Sequence, residues 1–128
     1  MNLLQQCTVV PAVNQMEFNP AMQDYDIYKL CLDKGIAFEA WSPLGNGRYT
    51  ADSEIGKIGV KYGKTAVQTI LRWIIQKGII VFPKSVNQER IIENADIFDF
   101  ELSFDDCAKI DSMNRNIRTG ADPDDFKF

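Results

Sequence analysis

The sequence predicts an α/β protein built on a parallel sheet, with three strands separated by helices. Three observations predict it. Short β-rich apolar runs recur at 11–18, 36–41 and 79–82. Segments of helical spacing lie between them, and those segments stop at Gly35, Gly63 and Gly78. Strands joined through helices cannot close as hairpins, so they pair in parallel through right-handed crossovers.

"PAVNQMEF" (11–18) alternates and is rich in β-formers, and Asn19-Pro20 after it reads as a helix entry with proline in the first turn. The helix predicted at about 22–34 sets Ile27, Leu30, Cys31 and Lys34 at three- and four-residue spacing, and Gly35 ends it. "IAFEAW" (36–41) is a second strand, and the Pro/Gly-rich "SPLGNGRYT" (42–50) is a loop. A helix is expected from about Ser53 to Tyr62. Thr65 then caps another, "AVQTILRWIIQK" (66–77), in which Ala66, Val67, Ile70, Leu71, Ile74 and Ile75 form one broad apolar face. "IIVF" (79–82) is expected to be a buried strand, and Asn87 caps a short helix to about Asn94. Ser103 with Asp106 resembles a capping box opening a last helix over 104–113, before an irregular tail, "NRNIRTGADPDDFKF". The order is β-α-β-(α)α-β-α-α. Three parallel strands leave both edges open and both faces in need of cover, so the architecture is expected to be incomplete.

The composition narrows the function classes. The chain has 128 residues, 45% apolar and 25% charged, which suits one soluble domain. A net charge of −4 disfavours nucleic acid or a membrane surface as partner, because both are polyanionic. Any anion site must therefore be local. No apolar run is long enough to span a bilayer, and "MNLLQQCTVVP" lacks the basic n-region of a signal peptide. Cys7, Cys31 and Cys107 are odd in number and lack metal spacing, as expected of reduced thiols in a cytoplasmic protein. The chain contains no histidine, which excludes histidine-based acid–base chemistry and most zinc sites within it.

Candidate site residues fall at carboxyl ends of the predicted strands. In "FPKSVNQERIIEN" (82–94), Lys84, Ser85 and Arg90 stand where a strand meets a helix N-terminus. Backbone N–H groups and the helix dipole favour an anion there, although two cations near a loop are also an ordinary solvated surface. Trp41 ends the second strand and precedes Gly45 and Gly47; its ring is either a stacking platform or core filling. Gln15 is either a planar amide that reads another amide or an ordinary strand-end polar residue. Parallel α/β folds bind ligands at this end of the sheet, which favours the functional readings taken together.

Several of these motifs resemble one family. "VNQMEFNP", "GIAFEAWSPLGNG", "GKTAVQTILRWIIQKGIIVFPKSVNQERIIENADIFDFELSFDD" and "RTGADPDDFKF" are similar, in order and spacing, to the C-terminal part of an aldo-keto reductase, bacterial 2,5-diketogluconate reductase-like members most of all. The resemblance implies that residues 1–128 are the last three βα units of a (β/α)8 TIM barrel that binds NADP(H) and reduces the carbonyl of a small-molecule aldehyde or ketone. It implies that Lys84, Ser85 and Arg90 hold the 2′-phosphate, with Val86 and Asn87 beside them. Glu93 and Asn94 would contact the adenine, Ser42 and Leu44 the pyrophosphate, Trp41 the nicotinamide face and Gln15 the carboxamide.

Family chemistry moves a hydride from nicotinamide to a carbonyl carbon while a tyrosine donates a proton, helped by a lysine, an aspartate and usually a histidine. By the resemblance those four belong to earlier strands, so no catalytic residue is expected in this segment, and Tyr25, Tyr28, Tyr49 and Tyr62 match no catalytic position. Asn19 stands where many relatives carry histidine, and Trp41 where many carry tyrosine or phenylalanine. The chain is therefore expected to be the cofactor-binding portion of a longer reductase, inactive alone and with no obligate protein partner. The alternative is a non-catalytic remnant or nucleotide-binding module.

Overall fold

The computed structural model describes residues 2–123 and 125. In chain order the elements are α1 (Asn2–Gln6), β1 (Val13–Glu17), α2 (Tyr25–Lys34), β2 (Ala37–Trp41), α3 (Ser53–Val60), α4 (Ala66–Gln76), β3 (Ile80–Val81), α5 (Gln88–Ala95) and α6 (Phe104–Asp111). The strands form a parallel sheet in the order β1-β2-β3. Register sets Gln15 opposite Glu39, Glu17 opposite Trp41, and Glu39 opposite Ile80.

Alternation along a strand sends successive side chains to opposite faces. Met16 and Phe18, Phe38 and Ala40, and Ile79 and Val81 join the apolar core under the helices. Its centre is Trp73 of α4, fully buried and stacked on Phe18 at 5.3 Å between ring centroids. Each such side chain removed from water contributes about 1.5–3 kcal/mol. The Trp73 indole N–H has its partner in Asp111, at 2.8 Å, so the ring carries no orphan donor into the core.

The helices start and stop for identifiable reasons. Asp24 caps α2 by accepting from the Ile27 amide, and Gly35 closes it at φ 68, a left-handed value that costs glycine nothing. Thr65 and Gln68 form a complete capping box at α4. Ser103 accepts from the Asp106 amide at α6, but Asp106 does not return the bond. The Tyr62 hydroxyl accepts from the Ser103 amide instead, at 2.9 Å, while the Asp106 carboxylate turns to Lys61, Tyr62 and Lys109. Lys61 in particular holds that carboxyl well below the usual carboxylate range, against the opposing effect of burial.

Two expectations need correction and one element was missed. Asn19-Pro20 does not enter a helix: Asn19 and Met22 bond each other across a tight turn, the Asn19 side chain accepts from Ala21 and Met22, and the helix waits for the Asp24 cap. "IIVF" is not a buried strand throughout, since only Ile80–Val81 pair and both Ile80 and Phe82 are exposed. The helix at Asn2–Gln6 was not foreseen. The tail is irregular through Pro123, and its residues 124 and 126–128 lie outside the described residues.

Candidate functional site

The sheet face away from the helices carries Val13, Gln15, Glu17, Glu39, Trp41, Ile80 and Phe82, and its apolar side chains stand exposed among the described residues. Gln15 Nε2 donates to Glu39 Oε2 across the ladder at 3.1 Å, which fixes both side chains on this face. Trp41 and Phe82 remain 45% and 56% exposed, which decides between the two readings of Trp41: its ring is a wall, not core filling.

At the carboxyl ends of β2 and β3 the following loops part to leave a groove of about 730 Å³. One wall is the loop after β2, with Trp41, Ser42, Leu44 and Asn46; the other is the turn into α5, with Lys84, Ser85, Arg90, Glu93 and Asn94; Thr65 and Val67 at the start of α4 also line it. Eight of the eleven residues expected to bind cofactor thus meet in one groove. Gln15 lies instead in an adjoining shallow groove of about 170 Å³, for which Trp41 is the shared wall. Val86 projects to solvent beyond the lining, and Asn87 turns its side chain back to cap α5 by accepting from the Arg90 amide.

Local geometry explains why the groove suits an anion. Asn87 caps α5 and Ser85 Oγ accepts from the Asn87 amide at 3.1 Å, which folds the turn over the helix start. Lys84 and Arg90 are exposed on that rim, and neither is paired with a carboxylate among the described residues, in contrast to Lys61, Lys64 and Lys77. On the opposite wall Ser42 sits at φ 51, a left-handed value rare for a residue with a Cβ, and Ser42 Oγ donates to Asn46 Oδ1 and lies 3.3 Å from Thr119 Oγ1. Such outliers concentrate where a loop is held for a ligand.

No tyrosine lines the groove. Tyr25 bonds Gln23 and Asp111, Tyr28 bonds the Lys77 carbonyl, Tyr62 bonds Asp106, and Tyr49 is buried. Burial and the Asp111 charge push the Tyr25 hydroxyl far above the ordinary tyrosine range, the reverse of what a proton donor needs. Among the described residues no group of acidic, cysteine or histidine side chains is arranged to hold a metal. Phe82 and Asn46 line the groove and were not singled out from sequence. Their signals were present: Phe82 shares the period-2 face of Ile80, and Asn46 lies between two glycines.

The profile of the Aldo/keto reductase family matches residues 2–115. The chain belongs to that family. Glyoxal reductase of Bacillus subtilis (strain 168) is 44% identical over 126 residues, covering 98% of this chain and 46% of that protein. Among solved structures, a mutant of Gox0644 in complex with NADPH superposes at a TM-score of 0.93 with 43% identity, over 99% of this chain and 47% of that one. A putative 2,5-diketo-D-gluconic acid reductase B superposes at 0.79 with 32% identity, over 81% of this chain and 37% of that one. The chain thus spans about half the length of the relatives it matches, and its three βα units are part of the family's barrel. In an aldo/keto reductase barrel the uncovered sheet face is the barrel interior, and the groove lies at the carboxyl-terminal mouth.

Proposed function

We propose that this segment binds NADPH and forms the cofactor-holding part of a reductase that converts small aldehydes or ketones to alcohols. The observation that carries the reading is the meeting of Lys84 and Arg90, both without carboxylate partners among the described residues, with Trp41, Ser42 and Leu44 in one groove. NADPH in the Gox0644 structure supports the choice of nucleotide. Lys84, Ser85 and Arg90 take the 2′-phosphate, with Val86 and Asn87 at its edge; Glu93 and Asn94 face the adenine. Ser42 and Leu44 follow the pyrophosphate, and Trp41 stacks on the nicotinamide. Gln15 gives one of its two amide N–H groups to Glu39, and its oxygen accepts from the carboxamide.

When bound, the cofactor supplies the hydride. The proton donor and its partners come from strands outside this segment, in accord with the structural commitments of the tyrosines here. Those same commitments favour the second reading, a nucleotide-binding module without turnover, for the segment taken alone. We propose further that residues 1–128 belong to a single reductase domain, as its C-terminal part, since Thr119 and Gly120 of the tail bond to Glu17 of β1. Three unpaired cysteines suit a cytoplasmic setting, and no helix among the described residues is long and apolar enough to cross a membrane.

The decisive probe is 2′,5′-ADP against 5′-ADP, because Lys84 and Arg90 on the groove's rim both lie in this chain. The expected result is at least roughly tenfold tighter binding of 2′,5′-ADP, the order of one charge-assisted hydrogen bond, with the difference erased by Lys84→Ala. Equal affinity for both nucleotides in the unmodified chain overturns the assignment.

A further inference from the structure

Glu17 is a buried carboxyl group whose hydrogen-bond partners among the described residues are neutral. It ends β1 with 5% exposure, directly across the ladder from Trp41. A carboxyl group withdrawn from water is tolerated only where hydrogen-bond donors converge on it. Four do. Asn19 Nδ2 donates at 3.0 Å, the Thr119 amide at 2.7 Å, the Gly120 amide at 3.2 Å, and the Thr119 hydroxyl also donates. Three of these donors come from the tail, about a hundred residues further along the chain, and no regular secondary structure supplies them.

The two tail residues then touch the site. Thr119 Oγ1 lies 3.3 Å from Ser42 Oγ, at the residue whose backbone is left-handed. Gly120 rests against the indole of Trp41: a Cβ placed on it would fall 2.7 Å from Cη2 and Cζ3, closer than any side chain tolerates. Glycine is required there for close approach. Upstream, the Arg115 and Ile117 amides both donate to the Ala21 carbonyl, so the tail is laid along the turn after β1 before it reaches Glu17.

We propose that Glu17 is a positioning residue that clamps Thr119–Gly120 onto Trp41 and Ser42, setting the plane of the indole and the strained start of the adjoining loop. Resting on the reading of the groove as a cofactor site, the clamp serves the nicotinamide half and leaves the 2′-phosphate half untouched. Glu17 acts at two removes: carboxylate to tail, then tail to aromatic ring.

The test replaces the carboxyl group with its isostere, Glu17→Gln, which swaps one of the two acceptor oxygens for an N–H donor and leaves at least one tail amide, Thr119 or Gly120, without its acceptor. In hydrogen–deuterium exchange of the 128-residue chain, exchange over 118–121 should rise about tenfold, the order of one charge-assisted hydrogen bond, while α4 is unchanged. Acrylamide quenching of tryptophan emission should rise, and the rise should vanish in a Trp41→Phe background, because the remaining Trp73 is fully buried. Gly120→Val, which pushes on the ring without disturbing the carboxylate, should raise quenching with no loss of protection in α4. Unchanged tail exchange in Glu17→Gln, or unchanged quenching in both variants, overturns the clamp.

The cofactor readouts separate this inference from the reading beneath it. Glu17→Gln should weaken NADPH and NADH by a common factor and leave 2′,5′-ADP alone. A matching loss for 2′,5′-ADP means general collapse of the groove and refutes a positioning role. If 2′,5′-ADP fails to bind the unmodified chain, the groove reading falls, while exchange and quenching still decide whether the clamp exists.

Discussion

The two faces of this small sheet are built on opposite terms. On the helical face Phe18, Trp73, Ile70, Leu71 and Ile74 are fully buried, and the Trp73 N–H is partnered. On the other face Val13, Trp41, Ile80 and Phe82 stand partly in water, and a Gln–Glu pair bridges β1 and β2. The same alternating strands serve both. One face is where the chain stores its stability, and the other is where it meets the rest of a barrel and, on the proposed reading, the cofactor. Substitutions on the two faces should therefore differ in kind: free energy of folding on the first, binding and association on the second.

The largest expected effect is Trp73→Ala, at about 3–5 kcal/mol or outright loss of the fold, because a cavity opens where Phe18 now stacks and Asp111 loses a donor. Denaturant titration followed by far-UV circular dichroism measures it. A loss below about 1 kcal/mol would break the comparison at its stronger side.

Next comes Asp106, the buried carboxylate that ties α6 to α3. Asp106→Ala should cost about 3 kcal/mol, at the lower end for a buried pair because Lys61 and Lys109 can reach water. The native pKa is depressed, chiefly by Lys61. Its contribution is therefore full above the ordinary carboxylate pKa and is lost as pH falls below it toward the native value. The unmodified chain should lose stability from about pH 5 downward, and Asp106→Asn should flatten that slope. Parallel slopes would show that other carboxylates govern the acid limb.

Legibility in the sequence follows the same division. The helical face was readable, because the spacing of α4 and the caps at Thr65, Asn87 and Ser103 are local chemistry, and the structure places all three caps as expected, with the reciprocal bond missing at Ser103. The groove was readable as a list of residues, because strand ends announce themselves by sequence pattern. Contacts between distant segments were not readable. Nothing near Glu17 signals that its partners are Thr119 and Gly120, and nothing near Ser103 signals the Tyr62 hydroxyl. The burial of "IIVF" was misjudged for a related reason. An apolar run looks the same whether its second face meets helices or is left uncovered, as Ile80 and Phe82 are here.

On the ligand face, Lys84→Ala and Arg90→Ala should each weaken NADPH by about 1.5–3 kcal/mol, ten- to a hundredfold, and NADH far less. Both cations lack a carboxylate partner among the described residues, so their removal leaves no buried charge unpaired and stability should stay within about 0.5 kcal/mol. Equal losses for the two nucleotides would move the 2′-phosphate elsewhere.

The smallest expected effect on stability is also the sharpest test of the uncovered face. Phe82→Ser and Ile80→Thr remove apolar surface that is already about half in water, so folding free energy should change by less than about 0.5 kcal/mol. Association should change more. An open sheet edge beside exposed Val13, Ile80 and Phe82 invites pairing with another copy, so the unmodified 128-residue chain should self-associate. The double variant should shift sedimentation toward monomer. A loss above about 2 kcal/mol in Phe82→Ser would mean that Phe82 is covered in solution, and then the uncovered face would carry stability as well as binding.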